Sequence, residues 1–265
     1  MAKTTIDKWN PDFLSQSAIF STIEKAAAYH TLSNDWPELE TLRQQFINNN
    51  HPIIPVAQDE KPTKIEDHYE PRIFLRQELQ TRTENWHDFF NAMVWLTFEN
   101  TKSILNQLHY QSAIKRKAGT NRSGLENAIT LFDECGIIII SDNEQLLAMI
   151  KQHQWKELFI DNRDSFNNDL FCFVFGHAMY EKALSPYIGM TCQALLINSR
   201  ELISSCQSNT LTDIDHCVAD YWKNRRITST DDLSAFPLLG IPGLHEDNSA
   251  RSFYDNSDYF RPLKK

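Results

Sequence analysis

Near the start of the chain, apolar positions recur at helical spacing in two stretches, 14–29 and 37–46, with Phe20, Ile23, Leu39, Leu42 and Phe46 on the faces that would pack. Each stretch predicts a helix. Over 49–68 the pattern lapses, and Pro52, Pro55 and Pro62 sit among polar residues, which favours an extended connector. This divides the chain into an N-terminal helical sub-domain at 1–50 and a body at 51–265. After a short extended piece at 72–75, Thr81-Arg82-Thr83-Glu84 has the Thr-x-x-Glu spacing of a capping box and predicts one long helix running to about Tyr110.

Beyond a basic loop the period shortens. The runs 128–132 and 137–141 read as strands flanking Asp133-Glu134-Cys135-Gly136, a hairpin signature in which glycine supplies the positive φ. Stretches 157–161 and 169–175 also read as strands, and 191–197 fits either strand or helix. Helices are predicted at 142–152, at 177–184 before Pro186, and at 213–223 before the turn-rich Pro237-Leu-Leu-Gly-Ile-Pro-Gly243. The sum is an α+β fold: N-terminal helices, one long central helix, and a mainly antiparallel sheet of about five strands with helices packed on it.

Composition narrows the classes. The chain has 265 residues, 41% hydrophobic and 23% charged, as expected of a folded soluble protein. No apolar run approaches the ~20 residues of a membrane span, and the first ten residues lack the apolar stretch of a signal peptide. Cys135, Cys172, Cys192, Cys206 and Cys217 are odd in number and scattered, which predicts reduced thiols and a cytoplasmic setting. With 26 basic against 35 acidic residues, a formal charge of -9, nucleic acid is a disfavoured partner. Lys115, Arg116, Lys117 and Arg122 could meet a phosphate, although a solvated loop is the commoner fate of such a run.

Two regions carry candidate chemistry. At 100° per residue, Asp88, Asn91, Trp95, Lys102, Asn106 and His109 fall within about 60° of one another, opposite Phe89, Phe90, Met93, Leu96, Ile104 and Leu108. A solvated face is the ordinary explanation, but Trp95 argues for cover. On a continuous helix Asp88 and His109 would lie about 31 Å apart, so only local pairs such as Asn106 with His109, or His87 or Asp88 with Asn91, could act together.

The second region begins with the apolar Leu170-Phe-Cys-Phe-Val-Phe175, which runs into Gly176 and His177, a strand-turn-helix order that sets the histidine in a first turn. Glu181, four residues on, shares its face and could orient an acid/base histidine or supply a second ligand to a divalent ion. A third ligand would come from His109, Asp133 or Glu134. An isolated His-x-x-x-Glu is more often a helix-stabilising hydrogen bond. Asp133 fits a turn cap, Glu134 is freer, and Cys135 has no histidine next to it in sequence. Glycine-rich nucleotide loops, zinc-protease helices, nucleophile elbows and calcium loops are absent.

Several motifs together resemble one family. Tyr69-Glu70-x-Arg72-Ile73, Thr81-Arg82-x-x-Asn85-Trp86-His87-Asp88-x-x-Asn91-Ala92-x-x-Trp95, Leu131-Phe132-Asp133-Glu134-x-Gly136, Phe175-Gly176-His177-Ala178-x-x-Glu181-Lys182 and Leu239-Gly240-Ile241-Pro242-Gly243, with Phe253-Tyr254 and Phe260-Arg261-Pro262 behind them, are similar to the bacterial "domain of unknown function 3025" family from about residue 50 to the C-terminus. The resemblance implies a proline after Phe98; Glu99 stands there instead, which predicts an uninterrupted helix. It carries no activity with it. The aromatic tail, with Asp255 and Asp258 between its rings, reads as a strap across the body or a roof over a pocket. The expectation from the residues is an enzyme working by general acid/base or metal-assisted hydrolysis on a small molecule, with His177, Glu181, Glu134 and Asp88 as catalytic groups and His177, Glu181 and His109 as ligands for a divalent metal. The rival is a non-catalytic binding module whose groove is lined by Trp95, Asn91, Asn106 and Lys102.

Overall fold

The computed structural model describes residues 8–58, 64–116 and 121–263. Its first segment is a chain of short turns, Phe13–Gln16, Ala18–Ile23, Glu24–Ala27 and Ala28–Leu32, where one helix was expected. Ser17 makes the break: its backbone is extended (φ -158°, ψ 141°) and its hydroxyl accepts from the Ile19 amide. The turns deliver Trp9, Phe13 and Phe20 onto Trp86 and Phe90, with ring centroids 4.7 Å apart for Trp9 and Trp86 and 5.8 Å for Phe20 and Phe90.

Helix α1 (Leu39–Asn48) leads to strand β1 (Ile54–Ala57), which pairs in parallel with β2 (Glu78–Thr81) across helix α2 (Tyr69–Arg76). The extended piece expected at 72–75 is therefore helical. Pro71 is tolerated because it lies in the first turn, and Gln77, left-handed at φ 58°, ends the helix and turns the chain into β2. The expected connector holds β1; Pro62 lies outside the described residues.

The long helix is two. Helix α3 (Trp86–Thr97) is capped by Asn85, whose side chain accepts from the Asp88 amide, so the Thr81-to-Glu84 box is not its start. It stops at Phe98 (φ -129°, ψ 55°), and α4 (Glu99–Lys115) begins at once. The cause is distant in sequence. Asp215, 3% exposed, accepts from the Asn100 and Thr101 amides at 2.8 Å each, meeting the free N–H groups of a helix start from far along the chain.

Helix α5 (Gly124–Cys135) replaces the strand expected at 128–132 and the hairpin after it, and Gly136 has φ -69° rather than a positive value. Ser123 and Glu126 form a complete capping box, and Ala128, Ile129 and Phe132 are buried at helical spacing. The chain then enters β3 (Gly136–Ser141), buried at every position. Helix α6 (Glu144–Lys151), one π-helical turn at Glu157–Asp161 where a strand was expected, and helix α7 (Arg163–Asp169) lead to β4 (Phe171–Val174), α8 (His177–Ala183) and β5 (Thr191–Asn198). Helix α9 (Leu211–Lys223) and β6 (Ser234–Pro237) follow. The α+β class holds. The main sheet has four strands in the order β4-β3-β5-β6, antiparallel at both outer pairings and parallel between β3 and β5.

The tail packs on the body. Tyr254 stacks on Phe159 at 5.5 Å and shares its one hydroxyl hydrogen between the carbonyls of Gly240 and Asn248, while the Tyr259 hydroxyl donates to the Met190 carbonyl. Among the described residues, no helix is long and apolar enough to cross a membrane.

Candidate functional site

The site starts from a backbone clamp. The Gly136 carbonyl, at the α5–β3 junction, accepts from both the Phe175 and Gly176 amides at 2.9 Å, and this binds the start of β3 to the end of β4. The approach is closer than any side chain allows: a Cβ on Gly176 would lie 2.4 Å from the Gly136 nitrogen and 2.5 Å from the Cys135 Cα. Glu134, in the last turn of α5, and His177, the first residue of α8, are thereby held together, with Glu134 Oε2 3.6 Å from His177 Nε2. Asp133 Oδ2 stands 3.6 Å from the other ring nitrogen, Nδ1.

Helix α3 brings a third group that the sequence reading gave only as a local partner of Asn91. Capped at Asn85, it presents His87 from its first turn, and His87 Nε2 lies 3.0 Å from His177 Nε2. On the far side of the ring, His87 Nδ1 is 3.0 Å from Glu181 Oε2. An ionised carboxylate only accepts, so Nδ1 carries the hydrogen and the Nε2 lone pair of the neutral ring points at His177. The Glu181 hydrogen bond raises the His87 pKa, against the effect of its burial. His177 is different: it is 4% exposed, and burial lowers its pKa to about 3, leaving a neutral ring. Two imidazole nitrogens this close need a shared proton or a shared cation between them, because two bare lone pairs repel.

Around this pair lies a cavity of about 510 Å³. Lys102, 4% exposed, reaches in from α4, with Nζ 2.5 Å from Asp133 Oδ1, 2.9 Å from Asn91 Oδ1 and 5.2 Å from the centre of the Trp95 ring. Burial pushes the Asp133 carboxyl up, but the Lys102 ammonium together with His177 and His87 holds the group below its ordinary value. The Asn91 amide donates to the Tyr69 hydroxyl at 2.5 Å. At the mouth, Arg82 grips both oxygens of Asp88, through Nε at 2.9 Å and Nη2 at 2.8 Å, and adds its own backbone amide at 2.7 Å. Also in the lining, Asn106 Nδ2 donates to Glu70 Oε2 at 2.5 Å and to the Glu70 carbonyl at 3.0 Å. Burial, then the charge of Asp133, push the Glu70 carboxyl above its usual value.

All six stripe residues line this one cavity. Asp88 and His109 share it because the break at Phe98 removes the straight helix from which a 31 Å separation was extrapolated at about 1.5 Å per residue. His177 and Glu134 meet as described. Glu181 stands behind His87, and His109 lies towards Glu70, with Nδ1 buried and without a hydrogen bond, so neither joins His177 at one cation position. Among the described residues, the group with one ligand atom each within 4.8 Å of one another is His87, Glu134 and His177. Asp133 caps no turn; it pairs with Lys102. Burial raises the Cys135 thiol pKa, which argues against a thiolate nucleophile there. In the basic loop Arg116 pairs with Glu126, while Lys117 lies outside the described residues. His87 and Glu70 belong to the motifs that resemble the family, and the local signal for His87 is Asn85, an N-cap two residues before it.

Residues 54–264 match a family described as "Protein of unknown function (DUF3025)". No curated protein and no solved structure matches the chain. The chain belongs to the DUF3025 family.

Proposed function

We propose that this member of the family is a divalent-metal-dependent hydrolase in which His87, His177 and Glu134 hold the ion. The convergence of two histidine Nε2 atoms at 3.0 Å, with a carboxylate oxygen 3.6 Å from one of them, carries the reading. Metal–nitrogen bonds of about 2.0–2.1 Å put neighbouring ligands about 3.0 to 3.4 Å apart, from right-angle to tetrahedral geometry. Three protein ligands leave a position open to the cavity, and the ion supplies an activated water there. Glu181 fixes the tautomer of His87, and Asp133, kept ionised by Lys102, stands in the matching place behind His177. Asp88 is committed to Arg82 by three hydrogen bonds, so its role is to position that guanidinium at the mouth.

The test is metal analysis of the purified protein, followed by hydrolysis of ester, amide and phosphoester panels with zinc, manganese or iron(II) added. Metal-dependent turnover is expected, absent in His177→Ala and His87→Ala. Glu181→Gln is expected to weaken metal affinity about 10- to 100-fold. Undiminished hydrolysis in His177→Ala overturns the reading. So does iron(II)-dependent oxygen consumption without hydrolysis, since two histidines and a carboxylate also serve iron oxygenases. Ligand binding with no turnover under any metal favours the non-catalytic binding module.

A further inference from the structure

Of the five acids that line the cavity, Asp67, Asp88 and Asp133 have cationic partners and Glu134 faces the histidine pair, which leaves Glu70. Asp67 pairs with Arg76 at 2.9 Å, Asp88 with Arg82 at 2.8 Å and Asp133 with Lys102 at 2.5 Å, while Glu134 lies beside His177. Glu70 forms no ion pair among the described residues. Its Oε2 receives the Asn106 amide, and among the described residues no hydrogen bond falls on Oε1. A half-buried carboxylate without a counter-charge is costly, and Lys102 cannot answer it, because it is committed to Asp133 and Asn91. His109 is within Coulombic reach, but its Nδ1 makes no hydrogen bond. The same cavity is lined by His87, His177 and Glu134, which with a divalent ion would form a positive pole.

We infer that the cavity takes a small dipolar ligand, with an ammonium group against Glu70 and an oxygen-bearing group, such as an amide carbonyl or carboxylate, at the His87–His177–Glu134 end. The second half rests on the metal reading; the first rests on Glu70 and Asn106 alone. Glu70 also discriminates between cations. A guanidinium pairs best with both oxygens of a carboxylate, and here Asn106 occupies one, whereas an ammonium is a point charge that one free oxygen satisfies. The substrate class is therefore small amino amides or amino-acid-like molecules, not guanidines.

The test uses the zinc-loaded full chain and ligand-observed NMR titration with ω-amino amides of increasing length, from glycinamide to aminohexanamide. Each is compared with its neutral partner, in which a methyl replaces the ammonium, and with its guanidino analogue. At one chain length the amino amide is expected to bind at least about tenfold tighter than its methyl partner and tighter than the guanidine. That preference is expected to fall to about twofold or less in Glu70→Gln, which still offers Asn106 an acceptor, and to persist in His109→Gln. Equal binding of amine and methyl forms at every length in zinc-loaded wild type overturns the inference, with no variant required. So does a preference that survives in Glu70→Gln or favours the guanidine. An amine preference in protein that fails to bind zinc keeps the ammonium site and overturns the metal reading alone.

Discussion

Helix α3 divides two regions built on opposite principles. One side is rings: Trp86, Phe89 and Phe90 interlock with Trp9, Phe13 and Phe20, as in the T-shaped pair of Phe13 with Phe20 at 5.3 Å and the stack of Trp86 on Phe90 at 5.2 Å. The other side, one residue away in sequence, is His87, Asp88, Asn91 and Trp95, facing the cavity. The ring side gains by excluding water and has no charges to satisfy. On the cavity side each buried charge needs a partner, and Lys102 and Asp133 provide theirs reciprocally. Stability and chemistry are thus assigned to different faces of one helix, so substitutions on the two faces should separate them.

The largest effect is expected where both regions depend on one backbone contact. Gly176→Ala forces a Cβ to within 2.4 Å of the Gly136 backbone nitrogen, and a loss of about 4 kcal/mol or more in urea unfolding is expected, together with loss of metal binding. Phe90→Ala, on the ring side alone, should cost about 3–5 kcal/mol while the folded fraction binds metal as wild type does; weakened metal affinity in folded protein would break the separation. On the cavity side, Lys102→Met strands the Asp133 charge and should cost about 3 kcal/mol, recovered in part by adding Asp133→Asn. A double-mutant cycle with no coupling between these positions would show that the pair stabilises nothing.

The smallest expected effect is a pH slope from the ring side. His30, 3% exposed, donates from Nε2 to the Gln45 side-chain oxygen at 2.7 Å and packs 5.4 Å from Phe89, and burial lowers its pKa below 6.5. As pH falls below that value the unfolded chain takes up the proton first, so stability falls with it; above it the contribution is fully present. His30→Gln should flatten the stability profile between the lowered pKa and pH 6.5, read as the difference from wild type in urea midpoints across that window. Identical profiles would mean that His30 is protonated as readily folded as unfolded.

The comparison also explains what could be read from sequence. The stripe from Asp88 to His109 and the Gly176-His177 junction were legible because helical spacing and a strand-to-helix turn are local signals. The break at Phe98 was not, since the carboxylate that caps α4 belongs to Asp215 and reaches it only in the folded chain. The strand expected at 128–132 failed for a local reason: the Ser123 and Glu126 capping box, five residues earlier than the apolar run, starts a helix that carries through it. Strand β6 went unread because Pro237 ends it and only four residues pair. Glu134 was a candidate on grounds of chemistry, but its meeting with His87 depends on the glycine clamp, which is a fact of packing between two distant junctions.

Cobalt(II) titration followed by visible d–d absorption tests the metal centre most directly, because cobalt reports both stoichiometry and ligand geometry. One saturable site per chain is expected, lost in His87→Gln, His177→Gln and Glu134→Gln and retained in Glu70→Gln and Phe90→Ala. Binding that is absent from wild type, or unchanged in those first three variants, would contradict it.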